Sequence, residues 1–449
     1  MSIQIRTQLP GPKAQEIISL SRRYEPKCVT EQAPLVWQRA QGVWIEDVDG
    51  NRFLDFCSGV LVTNIGHCHP KYVAAVREQA GELFNCYDFA HPWRARLAQK
   101  LVELTAPNLD QTFILTTGAE TIESALKVAR RASGLVPRSL GEGGFEILAF
   151  EGAFHGRTYG AMSVGGNQAV KRGFGPLLPG VIHAPFCYCY RCAFNRTYPD
   201  CKLYCLEHLD WVVKSQSTGA LCAVITESYQ GAAGSIIPPP GYMEGLHQWA
   251  KQRKLVFILD EVQSSFGRTG KMFAYEHWNT APDLLCLGKG LGSGVACSAL
   301  VADGDLIGVL GAGEMSSTNG GNPLACRAAC AAIEIIEEEN LAHNAAVIGE
   351  KMLAAFKEME AKFDSLGEAR GMGLAIALEM VEDKKSKTPA PELAKRVVDE
   401  CYQRGLALIA PIGLFGSVIR IAPPLVITEN EAMTGVSILG HALKAVSAR

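Results

Sequence analysis

The sequence lacks the features of membrane, exported and nucleic-acid-binding proteins. No long uncharged apolar run could span a bilayer, and the first residues do not follow the basic, apolar and small-residue order of a signal peptide. The net charge of −3 at pH 7 provides no electrostatic attraction to nucleic acid or to an anionic membrane surface. Internal repeats and low-complexity tracts are absent as well. These absences predict a globular protein that resides in the cytoplasm and binds neither nucleic acid nor membrane.

What is present is the composition of an ordinary α/β protein. The 449 residues are 48% hydrophobic and include 45 glycines. A chain of this length exceeds one small core, so two domains are expected. The 15 cysteines are numerous, and in a cytoplasmic protein they are expected to be reduced thiols rather than a disulfide framework.

One group of cysteines stands apart from the others. Cys187 is followed by Cys189-x-x-Cys192 and then by Cys201-x-x-x-Cys205. The last four thiols have nearly the spacing of a structural zinc site, and four thiolates would also suit an iron–sulfur cluster. The alternative is a cysteine-rich loop whose thiols are buried as small hydrophobic side chains. The sequence leaves both interpretations open.

Short apolar runs alternate along the chain with stretches of helical periodicity. After the run at 112–115, apolar side chains recur at Ile122, Ala125, Leu126 and Ala129, as in an amphipathic helix. Further runs lie at 147–150, 223–225, 255–259, 284–287 and 298–301. Buried strands separated by helices predict an α/β fold with a mostly parallel sheet that is covered on both faces.

The two ends of the chain have patterns of a smaller α+β unit. Residues 43–55 have the pattern of a hairpin, and residues 371–378 predict one strand. Thr428-x-x-Glu431 predicts the capping box of the last helix. We therefore expect residues 1–65 and 335–449 to form a small domain. The large domain is then expected at 66–334, with the cysteine-rich segment near 187–205 as an insertion.

A lysine and an aspartate are the most informative residues. The apolar run 255–259 ends in Asp260, and Lys289 lies in the small-residue loop Gly288-Lys289-Gly290. These are the two groups that pyridoxal phosphate (PLP) needs. The lysine amine forms a Schiff base with the cofactor's aldehyde, and the carboxylate keeps the pyridine nitrogen protonated. Taken singly, Lys289 would be a solvated loop lysine and Asp260 a polar strand end.

Two further motifs complete a family pattern. Thr117-Gly118-Ala119 lies between a strand and a helix, where backbone N–H groups and the helix dipole favour a phosphate. Phe154-His155 follows another strand and offers a ring for stacking. With Asp260 and Lys289 in the same order, the chain resembles the class III aminotransferases, fold-type I PLP enzymes that include 4-aminobutyrate, ornithine and acetylornithine aminotransferases.

The resemblance implies a role for each matching residue. Val262 would pack on the ring face opposite Phe154, and Gln263 would reach the ring hydroxyl. Thr318 would reach the phosphate of a neighbouring subunit, which implies a homodimer with shared active sites. A tetramer is the alternative assembly. The implied cofactor-binding residues are Gly118, Ala119, Phe154, His155, Glu227, Asp260, Val262, Gln263, Lys289 and Thr318.

Three residues are expected to bind substrate. Arg420 interrupts an apolar strand, where a guanidinium requires an anionic partner, either a protein carboxylate or a ligand. By resemblance, Arg420 holds a substrate carboxylate, Arg157 holds a distal one, and Val60 lines the pocket. For Arg157 the alternative is an exposed loop arginine.

The sequence thus predicts transfer of an amino group from an ω-amino acid of the 4-aminobutyrate type, or a related amine, to pyruvate or 2-oxoglutarate. Racemisation or decarboxylating transamination on the same scaffold is an alternative. The family's racemases have an aspartate where Ala232 stands, which disfavours the first of these. A non-catalytic protein of the same fold is the other alternative, and the intact Lys289–Asp260 pair argues against it.

Overall fold

A computed structural model describes residues 1–29, 31–133 and 144–447, which form two compact units. The first unit comprises Met1–Val73, Gly267–Gly270 and the chain from Ile336 onward. The second comprises Ala74–Phe266 and Lys271–Ile335. The unit boundaries therefore fall after residues 73 and 335, where the sequence predicted domain boundaries after 65 and 334. No sequence pattern indicated that residues 267–270 would belong to the first unit.

The second unit is built on one seven-stranded sheet in the order β4-β10-β9-β8-β7-β5-β6. The strands from β9 to β6 are parallel, and β10 pairs antiparallel with both β9 and β4. The prediction of a mostly parallel sheet is confirmed. The strands are β4 (Gln111–Leu115), β5 (Glu146–Phe150), β6 (Val181–Ala184), β7 (Leu221–Glu227), β8 (Val256–Asp260), β9 (Leu284–Leu287) and β10 (Ser298–Ala302).

The burial of these strands explains their composition. Every residue of β5, β7, β8, β9 and β10 is buried, as expected for strands with helices on both faces. The helices are α4 (Pro92–Leu104), α5 (Gly118–Ala132), α6 (Tyr159–Val164), α7 (Tyr204–Gln216), α8 (Tyr242–Gln252), α9 (Gly304–Ile307) and α10 (Pro323–Glu338). Helix α5 packs Ile122, Ala125, Leu126 and Ala129 into the main core, as its periodicity predicts.

The first unit contains two smaller sheets. One has the order β1-β2-β3-β13 and the other β11-β12-β14. The strands are β1 (Trp37–Gln41), β2 (Trp44–Asp47), β3 (Arg52–Asp55), β11 (Leu366–Met372), β12 (Ala375–Met380), β13 (Leu406–Ala407) and β14 (Val418–Ile421). The helices are α1 (Pro12–Tyr24), the single turn α2 (Ser58–Leu61), α3 (Pro70–Ala80, which crosses the unit boundary), α11 (Leu341–Lys362), α12 (Pro391–Gln403) and α13 (Glu429–Ser447).

Two of the three local predictions for this unit hold. The hairpin pairs Ile45 with Phe53, and the capping box joins Thr428 and Glu431 in both directions at 3.3 and 3.0 Å. The prediction of a single strand at 371–378 is wrong. The backbone turns at Gly373, whose φ of +55° is left-handed, and the segment is divided between β11 and β12. Only a glycine takes this conformation without strain.

In the part of the chain that the structure describes, no helix has both the length and the apolar character needed to cross a membrane.

Candidate active site

Nine of the ten predicted cofactor residues line one pocket of the second unit, with a volume of about 130 Å³. The sequence did not assign a role to the tenth lining residue, Gly156, although it lies within the Phe154-His155-Gly156-Arg157 motif. Its φ is +133°, and a Cβ there would lie 2.8 Å from the Cβ of Ala119. The lining residues are Gly118, Ala119, Phe154, His155, Gly156, Glu227, Asp260, Val262, Gln263 and Lys289.

The sheet topology brings these residues together. Glu227 and Asp260 end the adjacent parallel strands β7 and β8 and are paired in register. Lys289 follows β9, the next strand of the sheet. The carboxyl ends of parallel strands meet at one edge of a sheet, which is where α/β proteins bind ligands. Two carboxylates and an amine therefore meet at the pocket.

Asp260 is buried and held by two hydrogen bonds. One carboxylate oxygen lies 2.7 Å from Nδ1 of His155, and the other accepts the backbone N–H of Val262 at 2.9 Å. Among the described residues, Nε2 of His155 has no hydrogen-bond partner although it is buried. The imidazole thus orients Asp260 and retains one nitrogen for a further interaction.

Glu227 connects two loops beside the pocket. Its carboxylate accepts the backbone N–H of Phe154 at 3.0 Å and that of Gly231 at 2.9 Å. Burial raises the pKa of Glu227 to about 7, against the lowering effect of His155, and the neighbouring Asp260 raises it further. Near neutral pH, a cation in the pocket would therefore favour the ionised form of Glu227.

The amino end of α5 is open towards the pocket. Thr117 caps this helix together with Glu120, so the chain enters it with a fixed geometry. A Cβ at Gly118 would lie only 2.8 Å from Cγ1 of Val262, so the close approach of these two residues requires glycine. The backbone N–H groups of this first turn are suited to an anion such as a phosphate.

Lys289 has an unusual backbone conformation. It begins a single 3₁₀ turn, Lys289–Leu291, with a φ of +42°. A non-glycine residue in the left-handed region costs on the order of 1–3 kcal/mol, and such strain concentrates at functional sites. The side chain is half-buried and lines the pocket.

Arg157 and Thr318 lie in the second unit but do not line the pocket. Arg157 is exposed, and its guanidinium carbon lies 5.6 Å from the ring centroid of Phe154. This is the distance of a cation–π contact. Thr318 is exposed in the loop that precedes α10.

Val60 and Arg420 belong to the first unit. Val60 is 40% exposed and lies in α2, whose four residues all have positive φ, so this turn is left-handed. Asp55 holds the start of the turn by accepting the backbone N–H groups of Cys57 and Ser58 at 2.7 and 2.9 Å. Arg420 is buried in β14, opposite Ala377 of β12. A buried guanidinium in an apolar strand is what the sequence predicted.

The cysteine-rich segment surrounds a small apolar cavity of about 20 Å³, which all five of its cysteines line. Burial and the neighbouring thiols raise the pKa of Cys205 to about 12, and that of Cys187 is raised for the same reasons. Within residues 1–29, 31–133 and 144–447, no three cysteine, histidine or acidic side chains are placed so that they could hold a metal ion. Metal binding by Cys189, Cys192, Cys201 and Cys205 stays an alternative to a cysteine-rich loop of reduced thiols, and elemental analysis of protein purified without added metal would test it.

Comparison with known proteins decides the family. The model of the class III aminotransferases matches residues 27–443. The chain belongs to the class III aminotransferase family. It is therefore a PLP-dependent enzyme of the transaminase fold.

Similar proteins with curated names differ in their reactions. The chain is 35% identical to the alanine/serine racemase of Pyrococcus horikoshii, over 97% of this chain and 91% of that protein. It is 34% identical to the 4-aminobutyrate aminotransferase of Mycobacterium leprae, over 98% of both chains. The ornithine aminotransferase of Bacillus cereus is 37% identical, over 89% of this chain and 91% of that protein. These relatives share the family but do not agree on a substrate.

A solved structure supports the same fold. An amine transaminase from an uncultivated Pseudomonas species, crystallised with PLP bound, superposes with a TM-score of 0.86 at 31% identity. The alignment covers 95% of this chain and 98% of that one.

The pocket has the chemical features that PLP requires. Asp260, hydrogen-bonded to His155, supplies a buried carboxylate for the pyridine nitrogen. Phe154 and Val262 supply apolar surfaces for the ring. The open turn at Gly118 suits the phosphate, and Lys289 supplies the amine. The residues present therefore fit this cofactor.

Proposed function

We propose that this aminotransferase moves an amino group from an ω-amino acid of the 4-aminobutyrate type, or a related amine, to pyruvate or 2-oxoglutarate. The observation that carries the proposal is the meeting of Lys289 with the Asp260–His155 pair in one pocket. When bound, PLP supplies the electron-accepting ring that makes the donor's carbon acidic. The relatives named for 4-aminobutyrate and ornithine support a donor whose amine is distant from its carboxylate.

The chain's own residues then have distinct roles. With the cofactor bound, Nζ of Lys289 would take the proton from the donor carbon and carry it until it is returned to a carbon of the cofactor. Asp260, held by His155, keeps the pyridine nitrogen protonated. The first turn of α5 at Gly118 and Ala119 would bind the phosphate, and Phe154, Val262, Gln263 and Glu227 would hold the ring. For the substrate, we assign carboxylate binding to Arg420 and Arg157 and a contact with the donor to Val60.

We also propose a homodimer in which each subunit completes its neighbour's site. Thr318 is exposed and does not line the pocket of its own chain. A threonine that serves the phosphate from this position would therefore do so in a second subunit. Exposed apolar side chains on the same unit favour a partner chain; they are Leu83, Phe84, Tyr87 and Phe89.

A second candidate function is amino-acid racemisation, because a racemase is among the relatives at 35% identity. Racemisation needs an acid–base group on each face of the donor carbon, and Lys289 supplies only one. The position that resemblance assigns to the second group is Ala232, which has no titratable side chain. We therefore rank racemisation below amino transfer.

A panel of amino donors separates the two reactions. We expect 4-aminobutyrate-like donors to yield alanine from pyruvate, or glutamate from 2-oxoglutarate. The fastest of these donors should turn over at least about tenfold faster than L-alanine racemises, because one missing acid–base group costs about 10²–10⁴-fold in rate. The measurement is product formation with each donor and acceptor, together with chiral chromatography of L-alanine incubated without a 2-oxo acid. Rapid formation of D-alanine and no transfer from any ω-amino donor would reject the proposal.

A further inference from the structure

The loop between β5 and α6 carries much of the pocket. Residues 151–158 include Phe154, His155 and Gly156, which line it, and Arg157, which lies at its side. The start of the loop is tied by Glu227, which accepts the backbone N–H of Phe154. Its end is tied by a different carboxylate, that of Glu123 in α5.

Glu123 makes an unusual set of hydrogen bonds for a residue inside a helix. One of its oxygens accepts the backbone N–H groups of Gly160 and Ala161 at 2.8 and 3.1 Å. The same oxygen accepts the hydroxyl of Thr158. Thr158 precedes α6 and does not cap that helix with its own side chain, so Glu123 supplies the cap from α5. The loop end is thereby fixed to the helix whose first turn would bind the phosphate.

The position of Arg157 depends on this anchor. Arg157 immediately precedes Thr158, and its guanidinium, which makes no hydrogen bond or ion pair within the described residues, lies over the Phe154 ring. The carboxylate of Glu123 is instead bonded through one oxygen to the backbone and hydroxyl groups that follow Arg157 in the loop. Arg157 therefore keeps its charge available to a ligand, and the loop keeps it at the side of the pocket.

We propose that Glu123 is a positioning residue that sets Arg157 for a substrate carboxylate, and that it acts without touching cofactor or substrate. The inference rests on the proposed carboxylate-binding role of Arg157. It predicts a defect confined to ligands with a carboxylate. The cofactor would be spared, because the separate tie from Glu227 to Phe154 is retained.

Gly160 provides a way to move Glu123 without replacing it. A Cβ at Gly160 would lie 2.1 Å from Oε2 of Glu123, and the three nearest atoms all belong to that side chain. Gly160→Ala therefore displaces the carboxylate, which is the far end of a flexible side chain, and keeps its charge. Glu123→Ala removes both the anchor and the charge, whereas Glu123→Gln keeps one oxygen that can accept the loop N–H groups.

The test uses the PLP-loaded enzyme and two donors of equal length, one with a distal carboxylate and one without. We expect Gly160→Ala and Glu123→Ala to raise KM for the carboxylate donor about tenfold, the typical effect of losing one charge-assisted hydrogen bond. The KM for the neutral donor, the affinity for PLP and the visible absorbance of the bound cofactor should stay within about twofold of wild type. Glu123→Gln should recover part of the loss.

Arg157→Gln is the reference for interpreting these variants. It should itself raise KM for the carboxylate donor, and in its background Glu123→Ala should have no additional effect, because both act on one interaction. If Arg157→Gln raises KM and the Gly160 and Glu123 variants do not, the positioning role is wrong and the proposed function stands. If Arg157→Gln changes nothing, the assigned role of Arg157 fails. The thermal midpoint of each variant shows whether a change in KM comes from a damaged fold. An equal increase of KM for the carboxylate donor and the neutral donor would overturn the proposal.

Discussion

Replacing Lys289 with alanine is expected to lower the rate of amino transfer by at least about 10⁴-fold while the fold persists. The reason is that Lys289 is the only lysine lining the pocket within the described residues, so alanine removes both the amine that links the cofactor and the base that moves the proton. The measurements are single-turnover rates with the best donor and the visible absorbance of the protein mixed with PLP. Added small primary amines should restore part of the rate.

Lys254 offers a matched control. It is exposed, lies outside the pocket and has a φ of +53°, close to the +42° of Lys289. Both alanine variants therefore keep a residue in the left-handed region, so the backbone contribution to any loss of stability should be similar. Lys254→Ala should keep the absorbance and the rate of wild type. A Lys289→Ala enzyme that turns over as fast as Lys254→Ala would show that another group holds the cofactor.

The sequence predicted those parts of the site whose requirements are local. Asp260 at the end of an apolar strand and Lys289 among small residues were predicted together, because their order along the chain matches the pattern of the class III aminotransferases. Each motif of that pattern involves only a few neighbouring residues, although no single motif is sufficient. The sheet then brings them together, since parallel strands with buried apolar faces align their carboxyl ends.

Features that depend on distant residues were not predictable in this way. Glu123 caps Gly160 and Ala161 from positions 37 and 38 residues away, and no local pattern marks it among other helical glutamates. The break at Gly373 was missed because an apolar run predicts burial but not the sign of a backbone angle. The separation of 267–270 from its neighbours likewise follows from tertiary packing, in which the buried Arg268 donates to the carbonyl groups of Leu374 and Pro423.

Asp260 is expected to control the cofactor's electronic state rather than its retention. Asp260→Asn should leave PLP bound through Lys289 and the first turn of α5, but lower the transfer rate about 10²–10³-fold, the usual cost of losing one preorganised electrostatic contact. The amide has no charge to hold the pyridine proton, and its NH₂ group would face either the imidazole of His155 or the N–H of Val262. The measurements are the transfer rate and the pH dependence of the visible absorbance.

The adjacent Glu261 provides the control for this variant, because it is also a buried carboxylate but does not line the pocket. It accepts the Ser228 hydroxyl and the backbone N–H groups of Ala274 and Tyr275 at 2.6–2.7 Å, and burial raises its pKa to about 7. Glu261→Gln replaces one carboxylate oxygen with an NH₂ group, so at least one of these hydrogen bonds is lost. The melting temperature should therefore fall, while the absorbance profile stays unchanged. Since the two residues are neighbours in the chain, damage to the strand end would affect both variants alike. An equal loss of rate in both would therefore mean that Asp260 acts through packing, whereas a loss confined to Asp260→Asn requires its charge.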